Sequence, residues 1–219
     1  MQGSGRLHVP RREHISRVDP SDPLDFYYAP HTAWIFRWRL QLALDLLGPG
    51  PFERVLEAGY GSGILLPSLA ARSGALHAMD LHRRTDLVAP MLRQEHVHAA
   101  LIVGDVCGLP YAPGTFDALV CISTLEHLHG PELSAAVEGF QRVLRPGGVA
   151  VVGVPASGRV MEGLFRAIGF NEIDDHHVST RNAIEVELRR CFHVERQAHL
   201  PAVVPQSAAL YTVLRCRRH

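Results

Sequence analysis

Between residues 54 and 154 the chain alternates short apolar runs with segments of helical period. The runs at 54–58, 75–79, 99–103, 118–122 and 149–154 have the length and β-branched content of strands. The segments at about 64–73, 84–95 and 131–144 predict helices between them. The runs lack the alternation of a half-exposed strand, which marks a sheet covered on both faces, and strands alternating with helices build a parallel sheet. Past 155 the pattern changes. Helical segments near 159–168 and 180–190 precede two longer strand-like runs, "FHVERQAHL" and "ALYTVLRC", and the short Pro-containing connection between them predicts an antiparallel hairpin. The fold class predicted is therefore α/β: a doubly wound, mostly parallel sheet of seven strands ending in an antiparallel C-terminal hairpin.

Upstream, "HTAWIFRWRLQLALDLL" places Trp34, Trp38, Leu42 and Leu46 at helical spacing, and "GPGP" ends the helix. This stripe is expected to cover a surface of the domain. The first 22 residues are rich in Arg, Pro and Gly and are expected to form a frayed arm, leaving 23–219 as a single domain. No stretch approaches the length of a bilayer span, and no membrane partner is expected.

Charge narrows the function only a little. The 22 basic and 22 acidic side chains cancel, so no field of one sign points to nucleic acid. The chain contains no lysine, which excludes Schiff-base chemistry and the phosphate-binding P-loop signature. Cys107, Cys121, Cys191 and Cys216 form no CxxC pair and read as free thiols of a cytoplasmic protein.

The chemistry concentrates in "VLEAGYGSGILL", residues 55–66. A strand turning sharply into a helix needs glycine where φ is positive or where a ligand meets backbone, which suits Gly59, Gly61 and Gly63. A dinucleotide fingerprint counted from Gly59 would need a third small residue at 64, where this chain has Ile64. Glu57, at the end of the first strand, would repel a pyrophosphate but suits a ligand carrying ammonium or sulfonium charge. The loop alone could be no more than a tight turn, although a carboxylate at a buried strand end costs free energy without a partner.

With these residues the chain resembles the class I S-adenosylmethionine-dependent methyltransferases, whose first motif D/E-x-G-x-G-x-G is matched by Glu57, Gly59, Gly61 and Gly63. The resemblance runs from about 54 to 155 through "HAMD", "GDVCGLPYAPGTFD", "FDALVCISTLEHL" and "VLRPGGVAVVGVP". It implies a Rossmann-like fold, S-adenosylmethionine as cofactor, Asp80 on both ribose hydroxyls with Leu81 beside it, Asp105 on the adenine amino group and Val106 as a backbone contact. The resemblance also implies that Ile122, ending the fourth strand, meets the cofactor. Tyr60, a further cofactor-binding candidate, stands where the family often has a smaller residue, which leaves open how the loop approaches the methionine chain.

Several of these positions have ordinary structural readings too. Asp80 could cap a helix, and Asp105 could shape a turn. Arg37 or Arg39 could reach the cofactor's carboxylate or belong to a solvated helix face. Tyr27 and Tyr28 precede that helix where a lid would close over the cofactor, or simply pack. His127, after the fourth strand, is the candidate proton acceptor, while the same position in the family also structures the loop. His176 and His177 are candidate acceptor contacts in a wall spanning about 156–190, and with His127 and His129 they lack the spacing of a metal site.

The expected function is transfer of a methyl group to an oxygen, nitrogen or carbon nucleophile of a small organic acceptor. A nicotinamide-dependent oxidoreductase on a related fold is the enzymatic alternative, disfavoured by Glu57 and Ile64. An adenosyl-binding protein without catalysis is the other.

Overall fold

The structure, a computed structural model, describes residues 5–155, 178–205 and 209–219. Its strands are β1 (Phe52–Ala58), β2 (Ser73–Asp80), β3 (Ala100–Val103), β4 (Phe116–Ile122), β5 (Leu144–Pro155), β6 (His193–Leu200) and β7 (Tyr211–Arg217). They form one sheet in the order β3-β2-β1-β4-β5-β7-β6, parallel except for β7, which runs antiparallel to both neighbours. The described helices are α1 (Ala33–Leu47), α2 (Leu66–Ala70), α3 (Thr85–Gln94), α4 (Gly130–Val143) and α5 (Arg181–Cys191). All five predicted parallel strands and the terminal hairpin are present; the helical segment predicted near 159–168 lies outside the described residues.

Successive residues of the central strands face opposite layers, and both layers are buried. Val55, Ala118 and Val120 pack with Leu40 and Leu44 of α1 and Val88 and Met91 of α3. Leu56, Leu119 and Cys121 pack with Val137 and Phe140 of α4 and Ile184 and Leu188 of α5. This is why the strand runs show no polar alternation: each has helices over both faces.

Helix α1 buries a different stripe from the one its tryptophans suggest. Phe36, Leu40, Ala43, Leu44 and Leu47 face the sheet, while Trp34 and Trp38 are 58% and 43% exposed. A strict four-residue repeat advances about 40° per step around a helix of 3.6 residues per turn. The stripe begun at Trp34 on the outer side therefore reaches the buried face only at Leu46, which is 3% exposed.

The N-terminal arm also departs from expectation, because from Gly5 onward it is laid against the domain rather than frayed. Gln41 of α1 accepts from the Leu7 N–H and donates to the Gly5 carbonyl, both at 2.7 Å, and the Ser68 hydroxyl accepts from the His8 N–H at 2.8 Å. Glu95 at the end of α3 binds His8 and His14, each at 2.7 Å. Ile15 and Val18 then enter the core. No described helix is long and apolar enough to cross a membrane.

Candidate cofactor site

Strand order reverses between β1 and β4, and in open α/β sheets the crevice outside such a switch point receives the ligand. Here a cavity of about 360 Å³ opens over the carboxyl ends of β1, β2 and β4, within the range of small-molecule sites. Its floor is the predicted glycine loop, and Asp80, Asp105 and His127 stand around it.

The three loop glycines have distinct reasons to be glycine. All have positive φ, at 81°, 50° and 82° for Gly59, Gly61 and Gly63. A Cβ on Gly59 would stand 2.1 Å from the Thr124 hydroxyl, and one on Gly63 would press on Leu66, Met91 and Val88 at 2.9–3.0 Å. A Cβ on Gly61 would meet nothing within 4 Å, because this residue faces the cavity. Gly59 and Gly63 are thus demanded by packing, and Gly61 is left open to a ligand.

Glu57 is 3% exposed, and among the described residues its Oε2 has no hydrogen-bond partner. Burial first, and then the Asp80 carboxylate, hold its pKa well above the ordinary glutamate range. Tyr60 is buried with its hydroxyl likewise unpartnered, and its ring stands edge-on to His82 with centroids 4.9 Å apart. Asp80 accepts from the Gly61 N–H at 2.8 Å and from the His82 N–H at 3.1 Å. Asp105 has both of its readings at once: it lines the cavity and caps the turn Val106–Gly108 by accepting from the Cys107 N–H at 2.9 Å. Val106, Leu81 and Ile122 line the same cavity, and Leu81 is 72% exposed.

Two predicted residues fall elsewhere. The Tyr28 hydroxyl donates to the Pro10 carbonyl at 2.8 Å, and Arg37 lies over the Tyr28 ring while its Nε donates to the Tyr27 carbonyl at 2.8 Å. Neither is part of the cavity wall; their neighbours Tyr27 and Arg39 are. On α1 two residues amount to more than half a turn, so Arg39 faces the sheet edge while Arg37 faces out. The Arg39 guanidinium donates to the Tyr27 hydroxyl at 2.5 Å and to the Ser123 hydroxyl at 3.4 Å, with its Nε buried and unpartnered. No carboxylate among the described residues ion-pairs with it. His176 and His177 lie outside the described residues.

Other wall residues had weaker sequence signals. Asp22, in the turn-rich "DPSDP", lines the cavity above the loop; burial raises its carboxyl, opposed by hydrogen bonds from the Val18 N–H and the Ser62 hydroxyl. Ser123, directly after β4, has φ of 54°, a strained value for a residue with a Cβ. Its N–H donates to the Gly153 carbonyl at 2.8 Å and its hydroxyl meets that of Tyr211 at 2.9 Å. Beyond Arg39, a small apolar pocket is walled by Ile35, Phe36, Leu200, Leu210 and Tyr211. The buried Glu126 of the turn Leu125–His127 is pushed up to about 8 by loss of solvent, with the Arg39 charge opposing. Its backbone carbonyl accepts from the N–H groups of Val178 and Ser179 at 2.8 and 3.0 Å, tying the start of α5 to the site.

Fold and cavity together define an α/β protein with a crevice at its switch point. Residues 56–152 match the family model of the methyltransferase domain. The chain is 32% identical over 100 residues to a ubiquinone biosynthesis O-methyltransferase of Chromobacterium violaceum, covering 44% of this chain and 41% of that one. It is 36% identical over 118 residues to a demethylmenaquinone methyltransferase of Beutenbergia cavernae, covering 52% and 45%. The chain thus spans less than half the length of these two curated relatives. Among solved structures, the N-methyltransferase NodS of Bradyrhizobium japonicum in complex with S-adenosyl-L-homocysteine superposes with a TM-score of 0.67 at 18% identity, covering 92% of this chain and 94% of that one. Geranyl diphosphate methyltransferase in complex with S-adenosylmethionine gives 0.69 at 15% identity, covering 98% and 99%.

Proposed function

We propose that this protein transfers the methyl group of S-adenosylmethionine to an oxygen nucleophile on a small, largely apolar organic acceptor. The observation that carries the cofactor reading is the buried, unpartnered Oε2 of Glu57 at the head of a glycine loop that opens into the cavity. A buried carboxylate facing a second one is poorly served by an anionic ligand and well served by a cationic one.

In this reading Glu57 supplies the negative potential for the cofactor's cationic end, Gly61 lets its backbone approach, and Asp80 offers acceptor oxygens to a cis-diol. Asp105 and Val106 take the adenine edge. Arg39, rather than Arg37, receives the cofactor's carboxylate, because its guanidinium reaches the cavity and, among the described residues, its hydrogen bonds go to hydroxyls and not to a carboxylate. When bound, the cofactor supplies an electrophilic methyl on a sulfonium sulfur, and the protein's part is orientation and exclusion of water.

The oxygen assignment draws support from the name of the ubiquinone biosynthesis O-methyltransferase relative, and the apolar character of the acceptor from the quinone names of both relatives and the apolar lining beyond Arg39. Ser123 stands at the seam, lining the cofactor cavity and touching Tyr211 of the apolar pocket. Burial pushes the Tyr211 hydroxyl up, so it serves as a hydrogen-bond donor to an acceptor oxygen and not as a base. His127, which lines the cavity, takes the proton in this reading.

Isothermal calorimetry with S-adenosylmethionine, its demethylated product and NAD tests the cofactor. Binding of the two adenosyl ligands, and weakening by about tenfold or more in Asp80→Ala with the thermal transition intact, is the expected result. Binding of NAD in their place would overturn it. Turnover on phenolic acceptors tests the acceptor reading, and activity confined to amines would remove the oxygen assignment.

A further inference from the structure

We propose that His82 is a positioning residue, which locks the glycine loop in the shape that receives the cofactor. The inference rests on the reading of this cavity as an adenosyl site and adds a residue that the D/E-x-G-x-G-x-G motif does not contain.

Gly61 is the open point of the loop. Nothing lies within 4 Å of where its Cβ would be, and its φ of 50° is not enforced by packing from that side. Two bonds from the end of β2 hold it instead. Its N–H donates to Asp80 Oδ2 at 2.8 Å, and its carbonyl lies 2.9 Å from His82 Nε2. The tautomer follows from the other ring nitrogen: the Arg84 N–H donates to His82 Nδ1 at 3.1 Å, so Nδ1 is the acceptor and Nε2 carries the proton given to Gly61. The His82 N–H in turn donates to Asp80 Oδ1 at 3.1 Å. Asp80 and His82 thus grip the two polar groups of one peptide-bearing residue, and the edge of Tyr60 seats the imidazole.

The arrangement needs a neutral ring. A second proton, on Nδ1, would face the Arg84 N–H and lose that bond. It would also draw the imidazolium toward Asp80, whose carboxylate is 4.0 Å from Nε2, and so compete for the oxygens assigned to the ribose. The charged and titratable groups around His82 are Asp80 with Glu57 behind it, Tyr60 from the loop, and Arg83, Arg84 and Asp86 at the start of α3.

The test is calorimetric affinity for S-adenosyl-L-homocysteine from pH 8 to pH 5.5 in wild type, His82→Gln and His82→Phe, each checked for its thermal transition. Glutamine can donate to Gly61 and accept from Arg84 without titrating; phenylalanine keeps only the contact with Tyr60. Wild type is expected to weaken about tenfold across the range, His82→Gln to stay within about threefold of wild type at pH 8 with a shallower pH slope, and His82→Phe to bind about tenfold more weakly at pH 8. Wild-type affinity in His82→Phe, or an unchanged pH slope in His82→Gln, overturns the proposal. Should His82→Phe not fold, the glutamine slope alone decides. Absence of binding by wild type at every pH would remove the cofactor reading itself, a result distinct from either variant outcome.

Discussion

Gly153 of β5 exists to make room for Tyr211 of β7: a Cβ at position 153 would lie 2.6 Å from the Tyr211 hydroxyl. That hydroxyl is held by Ser123, whose strained backbone is in turn tied to the Gly153 carbonyl. Three strands thereby converge on one hydroxyl pair at the seam of the two cavities.

Gly153→Ala is therefore expected to displace Tyr211, at a cost of about 1–3 kcal/mol for overpacking. In a Tyr211→Phe background part of the clash is gone, although Ile122 and the ring edge remain near at 2.9 and 3.0 Å. A double-mutant cycle of thermal or urea unfolding checks this, and equal costs in both backgrounds would separate Gly153 from the hydroxyl.

For Glu57, stability and binding should move in opposite directions. Its folded pKa is raised, so the folded state holds the proton more tightly than the unfolded chain, and ionisation costs stability as pH rises above the ordinary glutamate value. Glu57→Gln removes that cost and is expected to gain about 1 kcal/mol near neutral pH, or about 2–4 °C in Tm, with the gain shrinking in acid. Affinity for S-adenosylmethionine should fall. A variant both less stable and equally tight would show that Glu57 serves the fold and not the ligand.

Glu95 fastens the arm that ends in the cavity wall. Burial alone would raise its carboxyl, but hydrogen bonds from His8, His14 and the Arg11 N–H together hold it below the ordinary range. A depressed carboxylate contributes stability above its unfolded value and loses it as pH falls through the lower folded one, so the arm should loosen below about pH 4. At neutral pH, Glu95→Gln is expected to speed amide exchange across residues 8–14 and to weaken the adenosyl ligand severalfold, since Val18 and Asp22 lie further along the same segment. Unchanged exchange would mean the latch is redundant.

What could be read from the chain alone was what depends on local period and spacing. Five short apolar runs without alternation require a sheet buried on both faces, and a Glu two residues before a GxGxG turn requires a charged crevice at the end of its first strand. Those signals place Glu57, Asp80, Asp105 and His127 around one cavity before any packing is known. Tertiary structure decided the matters that turn on direction. Arg37 and Arg39 differ in sequence by two positions but on the helix by more than half a turn, and only the buried face of α1, set by Phe36, Leu40 and Leu44 against the sheet, determines which guanidinium meets the site. The docked arm, the grip of His82 on Gly61 and the space left by Gly153 for Tyr211 all join residues distant along the chain. Such pairs leave no periodic trace in the sequence, because their contact is created by the fold that brings the segments together.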